Sequence, residues 1–270
     1  MEMYGSPRVR GKGMGWSTGG RRALATAFLA ALLGPGPAWA SESVGSVTGS
    51  VVLTGDVPRL ARLPVTKHRS VCGESKHSED LVVSPSRGVA NVVVTIEGVP
   101  RAHGIPQEPA VLDNPDCVFV PHVLVAAVGQ VIEIRNSDGI IHTAHAYDEA
   151  RQTLFNVALP VYKRLVRRTL THPGIYRIVC DVGHTWMSAY VVVLGHPYAA
   201  VTDGSGRFRI PGVPPGIYRL RFWHERLGVR EEPLVIRAGG EATVNLAWRV
   251  DGTAATGSRP PLAVPIERAP

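Results

Sequence analysis

The sequence predicts an all-β protein. Short runs rich in β-branched residues recur along the chain, as in residues 46–54 and 131–136, and turns rich in glycine and proline separate them. After residue 40, no stretch has the apolar period of a long helix. Together these observations favour β-sandwiches over helical or mixed architectures.

The first forty residues are predicted to be a secretory signal peptide. Arg21 and Arg22 precede an apolar run over residues 23–33, and residues 38–40 (AWA) fit a cleavage site with small side chains. The run is too short to cross a bilayer comfortably, and a retained amphipathic anchor is the alternative. We therefore expect an exported protein, periplasmic or otherwise extracytoplasmic, with no integral membrane segment after signal cleavage.

Charge gives no support for nucleic-acid binding. The formal net charge is +7, of which residues 1–40 account for +4, so the mature chain carries only +3. The remaining length suffices for one large domain or two small ones. We expect no nucleic-acid partner.

The section over residues 41–195 is predicted to be one β domain. Residues 46–54 form a strand that ends in a turn, and residues 91–97 form another. Between them, residues 59–79 are basic, polar and aperiodic, which predicts a loop around Cys72.

Two strands of this section end in polar or sulfur-bearing residues on their inner face. In residues 131–136, alternation places Asn136 on the same face as two isoleucines. In residues 175–180, the same alternation places Cys180 on the face of a tyrosine and an isoleucine. The next strand is predicted over residues 188–194, so the residues after Cys180 form a short loop between strands.

Residues 196–250 are predicted to be a second, smaller β-sandwich. Five short strands alternate with glycine- and proline-rich turns in this section. His224 and Glu225 are expected at its surface. Residues 251–270 are rich in glycine, alanine and proline, and we expect a disordered tail.

Four side chains form a candidate metal site. Cys180, His184 and Met187 lie within eight residues of one another, and His142 lies in an upstream loop after a predicted strand. Two imidazoles, a thiolate and a weak thioether are the ligand set of a blue-copper electron-transfer centre. Zinc would usually avoid the methionine.

Other interpretations of these residues stay open at this stage. Cys180 and its neighbours could be a free thiol beside polar loop groups, and His145 or His122 could replace His142 as a ligand. His122 follows a proline in a strand context, which is more typical of a structural imidazole. Trp186 could shield a metal from water or simply pack in the sandwich.

Cysteine usage predicts one disulfide and one free thiol. The chain has three cysteines, and an exported protein folds in an oxidising compartment where two of them can pair. Cys180 is flanked by metal-ligand types, which leaves Cys72 and Cys117 as the predicted disulfide. Three reduced, buried cysteines are the alternative.

The candidate ligands lie in segments that resemble the cupredoxins, in particular proteins described as plastocyanin-like or methylamine-utilisation proteins. Residues 180–187 (CDVGHTWM), together with residues 136–138 (NSD) and His142, carry the resemblance, and residues 117–123 (CVFVPHV) are similar to a further segment of that group. Residues 201–208 (VTDGSGRF), 213–218 (VPPGIY) and 222–225 (FWHE) resemble the carboxypeptidase regulatory-like domain.

The resemblance implies a Greek-key β-sandwich that binds one copper ion, cycling between Cu(I) and Cu(II), followed by a carboxypeptidase regulatory-like sandwich. The implied ligands are His142, Cys180, His184 and Met187. The implied neighbours of the ligands are Asn136, Thr143 and Trp186, and Thr143 occupies a position where many cupredoxins carry asparagine.

The ligand loop is also similar to half of the binuclear copper loop of cytochrome oxidase. That loop has another cysteine four residues earlier, where this chain has Tyr176. We therefore expect a mononuclear centre.

We expect the protein to carry electrons to or from a redox protein partner and not to be an enzyme. Four protein ligands leave no coordination position for a substrate, and the sequence contains no nucleophile elbow or paired carboxylates on a regular element. Periplasmic copper delivery or storage, and a metal-free structural or binding sandwich, are the alternatives.

Overall fold

The computed structural model describes residues 43–60, 62–100 and 106–250, and this part of the chain is all-β. The predicted signal peptide and the predicted tail lie outside the described residues. The strands are β1 Gly45–Gly55, β2 Arg62–Pro64, β3 Ser75–His77, β4 Val93–Glu97, β5 Ala110–Leu112, β6 Val123–Ala127, β7 Val131–Arg135, β8 His142–Tyr147, β9 Thr153–Leu159, β10 Leu165–Thr169, β11 Gly174–Val179, β12 Ser188–Leu194, β13 Ala199–Val201, β14 Arg207–Val213, β15 Gly216–His224, β16 Gly228–Ile236 and β17 Glu241–Val250. One four-residue helix, α1 (Arg69–Cys72), and one 3-10 turn (Pro115–Cys117) complete the described elements.

The first sandwich contains the candidate metal residues. Its five-stranded sheet has the order β6-β12-β11-β8-β9 and its three-stranded sheet the order β10-β7-β5, and one apolar core joins the two. The predicted alternation in β11 is confirmed, because Tyr176 and Ile178 enter this core together with Cys180. In β7, Ile132 and Ile134 enter the same core.

The second sandwich combines residues from both ends of the described chain. One sheet has the order β14-β1-β17 and the other β13-β4-β15-β16, with a separate apolar core between them. β1 pairs in parallel with β17 from Ser46↔Glu241 to Gly55↔Val250, and β4 pairs with β15.

The boundary predicted at residue 195 is therefore corrected. The strands after residue 195 do not form the second sandwich alone, since β1 belongs to one of its sheets and β4 belongs to the other. A parallel pair needs a long connection instead of a tight turn, so no local sequence signal marks the pairing of β1 with β17.

The two sandwiches contact each other through the outer face of the first. Tyr190 on β12 packs edge-on against Trp223 on β15, with 5.3 Å between ring centroids, inside a third apolar cluster. β12 is thus buried on both faces, which explains its nearly continuous apolar sequence. His224 and Glu225, expected at the surface, are buried, and Glu225 forms an ion pair with His122 of the first sandwich.

The predicted loop over residues 59–79 is also corrected. It contains β2, α1 and β3, with β2 and β3 pairing as a short antiparallel ladder. Elements of three or four residues are too short for a periodic pattern, so composition alone could not show them. Among the described residues, no helix has the length and hydropathy needed to span a membrane.

Candidate metal centre

Three predicted ligands meet at one end of the first sandwich. His142 is the first residue of β8, Cys180 follows the last residue of the adjacent strand β11, and His184 lies in the loop that leads to β12. The Cys180 Sγ atom lies 3.8 Å from His142 Nδ1 and 3.6 Å from His184 Nδ1, and the two Nδ1 atoms are 3.0 Å apart. All three side chains are buried.

This triangle of donor atoms fits one metal ion without rearrangement. Metal–nitrogen bonds of about 2.0 Å and metal–sulfur bonds of about 2.3 Å place donors of a trigonal site about 3–4 Å from one another. Two imidazole nitrogens and one thiolate in a trigonal arrangement are the equatorial donors that copper takes in blue-copper sites. The residues therefore fit a single copper ion.

Both imidazoles are in the state that metal binding requires. Burial lowers the pKa of His142, although the nearby Asp138 carboxylate opposes this shift. Burial, followed by the proximity of His142, His68 and Lys67, lowers the pKa of His184 to about 4. Neutral imidazoles at physiological pH present an unprotonated ring nitrogen to a metal.

Met187 belongs to the same buried core cluster as Cys180 and Trp186. Its backbone N–H donates a 2.9 Å hydrogen bond to the carbonyl of His184, which closes a turn within the ligand loop. The methionine thus lies beside His184 along the chain in a dry environment. Its role as a metal ligand stays a prediction.

Asp138 holds His142 from the side opposite the donor triangle. Its Oδ2 atom lies 2.9 Å from His142 Nε2, and the carboxylate also accepts the backbone N–H groups of Asp116 and Cys117 at 2.9 Å each. Since Nε2 donates to the carboxylate, Nδ1 is the nitrogen free to bind a metal. The sequence analysis placed Asp138 in the motif of residues 136–138 but predicted no role for it.

His68 occupies the equivalent position at His184. The Nδ1 atom of His68 lies 2.8 Å from His184 Nε2, and the two rings meet edge to face with centroids 5.1 Å apart. Sequence reasoning missed this residue because it lies in the segment predicted to be a loop. The signal that could have pointed to it is its position four residues before Cys72.

Thr143 connects the two ligand loops at the cysteine. Its backbone N–H points at Cys180 Sγ over 3.4 Å, its hydroxyl oxygen lies 3.8 Å from the same sulfur, and that oxygen accepts the Asp181 N–H at 2.6 Å. The N–H contact to sulfur comes from the backbone. This contact therefore does not depend on which side chain occupies position 143.

The two other residues predicted to surround the ligands shape the loops. Asn136 donates from Nδ2 to the carbonyls of Ile140 at 2.8 Å and Leu159 at 2.6 Å, so it closes the loop before His142. Trp186 packs against the His184 ring with centroids 5.0 Å apart and donates from Nε1 to the carbonyl of Cys117 at 2.9 Å.

Cys72 and Cys117 form the disulfide, with Cα atoms 5.4 Å apart, and Cys180 is the free cysteine. The pairing agrees with the sequence prediction. Because Cys117 also contacts Asp138 and Trp186 through its backbone, the disulfide connects α1 to the surroundings of both histidine ligands.

The two alternative histidines lie outside the donor triangle. His145 faces the opposite side of β8, where its Nδ1 atom lies 2.5 Å from Asp181 Oδ2 and its Nε2 atom 2.8 Å from Thr153 Oγ1. His122 contacts Glu225 and the carbonyl of Ser188 at the junction of the sandwiches. Neither belongs to the group of converging donors found in the described residues.

Comparison with curated proteins found no match. The sequence model of one family, described as polysaccharide lyase family 4, domain II, matches residues 175–244, a span that starts in the first sandwich and ends in the second. The match covers less than half of the chain. It does not support the carboxypeptidase regulatory-like resemblance, because it names a different family.

Among solved structures, the chain is similar to a purple cupredoxin from Nitrosopumilus maritimus at 22% identity, with 32% of this chain and 99% of that chain covered and a TM-score of 0.29. It is similar to a copper-containing nitrite reductase from Thermus scotoductus SA-01 at 24% identity, with 36% and 24% covered and a TM-score of 0.29. A reduced mutant of amicyanin shows 20% identity, with 37% and 98% covered and a TM-score of 0.29. Any functional conclusion therefore rests on the geometry of the site.

Proposed function

We propose that this protein binds one copper ion through His142, Cys180, His184 and Met187 and carries single electrons between redox proteins. The observation that supports this most directly is the buried triangle of two imidazole nitrogens and one thiol sulfur, with edges of 3.0, 3.6 and 3.8 Å. The sulfur belongs to the free cysteine, so it is available to a metal as a thiolate.

A bound copper ion would supply the one-electron couple between Cu(I) and Cu(II). The protein's own contribution is to hold the donors in place and keep water away. His142 and Cys180 are tied to adjacent strands, and hydrogen bonds to Asp138 and His68 orient the imidazoles. A site that stays fixed while the metal changes charge favours electron transfer.

Copper delivery is the competing interpretation. A delivery protein benefits from exposed ligands that exchange readily, whereas both histidines here are fully buried and Cys180 is 6% exposed. Burial therefore favours a carrier that retains its metal. The disulfide is typical of exported proteins, which agrees with the proposed extracytoplasmic location.

The test is to load the full-length mature protein with copper(II) and record visible and EPR spectra. The full chain is needed because β1 and β4 pair with strands beyond residue 195. We expect one copper per chain and a thiolate-to-copper absorption band, which Cys180→Ser abolishes because serine provides no thiolate. His142→Ala should weaken or abolish the band, while the matched variant His145→Ala should retain it.

Binding of zinc alone after copper loading would contradict the proposal, as would a band that survives Cys180→Ser. Electron transfer is tested separately by voltammetry and by capture of copper with a weak chelator. A reversible one-electron wave with slow copper loss supports the carrier. Rapid loss of copper without a reversible wave would favour delivery instead.

A further inference from the structure

A disulfide-linked segment lies beside the His184 side of the metal centre. This covering segment, residues 62–77, consists of β2, α1 and β3. Val65 anchors it in the core of the first sandwich, Cys72 bonds to Cys117, and Lys67 Nζ donates to the carbonyl of Val182 at 2.8 Å. The segment is therefore attached both to the sandwich and to the loop that carries His184.

Within this segment, His68 directs its side chain at the ligand His184. Its backbone has φ 55° and ψ 39°, in the left-handed region that histidine tolerates better than most residues. The residue precedes α1, but its ring makes no capping hydrogen bond to the helix. The contact made by its Nδ1 atom is instead the 2.8 Å hydrogen bond with His184 Nε2.

The hydrogen bond fixes which nitrogen of His184 faces the other donors. His184 Nδ1 lies in the triangle with Cys180 and His142, so Nδ1 must be unprotonated to bind a metal. The ring proton is then on Nε2 and is donated to His68 Nδ1. Outer hydrogen bonds of this kind fix both tautomer and ring orientation in metal sites.

We propose that His68 is a positioning residue of the metal centre, which holds the His184 ring in its ligating orientation and closes that side of the site to solvent. The proposal rests on the copper site proposed above. The supporting partner is an imidazole supplied by a segment 116 residues away in sequence.

The disulfide keeps this partner in place. Cys117 donates its backbone N–H to Asp138, which contacts His142, and its carbonyl accepts the Trp186 indole N–H from the His184 loop. The covering segment is thus linked by covalent and hydrogen bonds to the surroundings of both histidine ligands. Its position relative to the centre does not depend on the His68 contact alone.

The test compares His68→Ala, His68→Gln and the matched control His77→Ala. His77 lies on the same segment, but it is exposed and contacts Arg62 at 3.0 Å. For His68→Ala we expect capture of copper(I) by a chelator to become about tenfold faster or more, with an altered EPR signal. His68→Gln, whose amide oxygen can accept the His184 N–H, should stay closer to wild type, and His77→Ala should equal wild type.

A metal-free measurement separates this proposal from the copper assignment. With the disulfide intact, Cys180 is the free thiol, and its alkylation in the apoprotein reports access to the centre. We expect His68→Ala to increase the alkylation rate and His77→Ala to leave it unchanged.

If the wild type binds no copper, the copper proposal fails while the alkylation rates still decide the role of His68. Unchanged alkylation in His68→Ala would overturn that role. So would a copper-loaded wild type whose release rate and EPR signal are the same in His68→Ala.

Discussion

The two histidine ligands are held in contrasting ways. His142 receives its hydrogen-bond partner, Asp138, from four residues earlier in the same loop. His184 receives His68 from a distant, disulfide-linked segment, and its neighbour Trp186 bonds to Cys117, 69 residues away. One half of the site is therefore built within a single loop, and the other half exists only after distant segments have packed.

The two partners also differ in charge. The Asp138 carboxylate accepts a charge-assisted hydrogen bond and raises the pKa of His142 against the effect of burial. Burial is the largest cause of the lowered pKa of His184. The neighbouring groups that lower this pKa further are, in order, His142, His68 and Lys67. After burial, the neighbouring group with the largest effect therefore raises the pKa at His142 and lowers it at His184.

The largest effect is expected when the Asp138 carboxylate is removed. Asp138→Ala removes the acceptor of His142 Nε2 and of two backbone N–H groups, one of them buried. We expect copper affinity to fall by about tenfold to a hundredfold. The free energy of unfolding should fall by about 3 kcal/mol, because buried donors lose their partners. Copper titration and urea unfolding measure the two effects.

The matched control for this change is Asp113→Ala. Asp113 is a carboxylate of the preceding segment that bonds to the exposed Ser137 hydroxyl, and it does not contact His142. Its removal should leave copper affinity unchanged. If Asp138→Ala weakens copper binding less than His68→Ala does, the carboxylate is not the stronger support and the comparison fails.

An intermediate effect concerns the pH dependence of the apoprotein. His184 has a folded-state pKa of about 4, below the value of about 6.5 expected in the unfolded chain. Below pH 6.5 the unfolded state therefore binds more protons, and the stability that this residue contributes is lost as pH falls toward 4. The slope is at most about 1.4 kcal/mol per pH unit for one proton.

The measurement is urea unfolding of apoprotein variants at several pH values between 7.5 and 5. Buried His224, with its pKa lowered to about 3, adds to the same slope, whereas His122, with a raised pKa, opposes it. Only differences between variants are therefore informative. His184→Gln should flatten the curve more than His142→Gln, since Asp138 offsets part of the shift at His142. Equal flattening of the stability curve in the two variants would show that Asp138 does not offset the pKa shift at His142.

The smallest expected effect tests the contact between the two ligand loops. Thr143→Val removes the hydroxyl that accepts the Asp181 N–H, but it keeps the backbone N–H that points at Cys180 Sγ. We expect a loss of about 1 kcal/mol in the free energy of unfolding. The thiolate-to-copper band should persist with only a small shift in energy.

Thr143→Ser, which keeps the hydroxyl, serves as the control and should match the wild type in both measurements. Complete loss of the band in Thr143→Val would mean that the hydroxyl, and not the backbone, supports the sulfur. Unfolding by urea and the visible spectrum of the copper-loaded protein distinguish these outcomes.

Part of the first sandwich was predicted from the sequence because its signals are local. Alternation in β11 correctly placed Cys180 on the inner face. The disulfide was predicted correctly because the metal-ligand residue types beside Cys180 marked it as the unpaired cysteine of the three. The pairing of β1 with β17 was not predictable. Both are regular strands, but nothing in either sequence specifies a parallel partner nearly two hundred residues away.

The sequence by itself determined which donor types are present and that Cys180 lies on the inner face of its strand, because side chains alternate with a period of two along a strand. Asp138 belongs to the same loop as His142, but its hydrogen bond to that ligand was not predicted from the sequence. Only the tertiary structure decided that His68 meets His184 and that the second sandwich combines strands from both ends of the described chain. Such contacts follow from how apolar faces pack and from the Cys72–Cys117 bond, and local periodicity carries no information about which distant segments will meet.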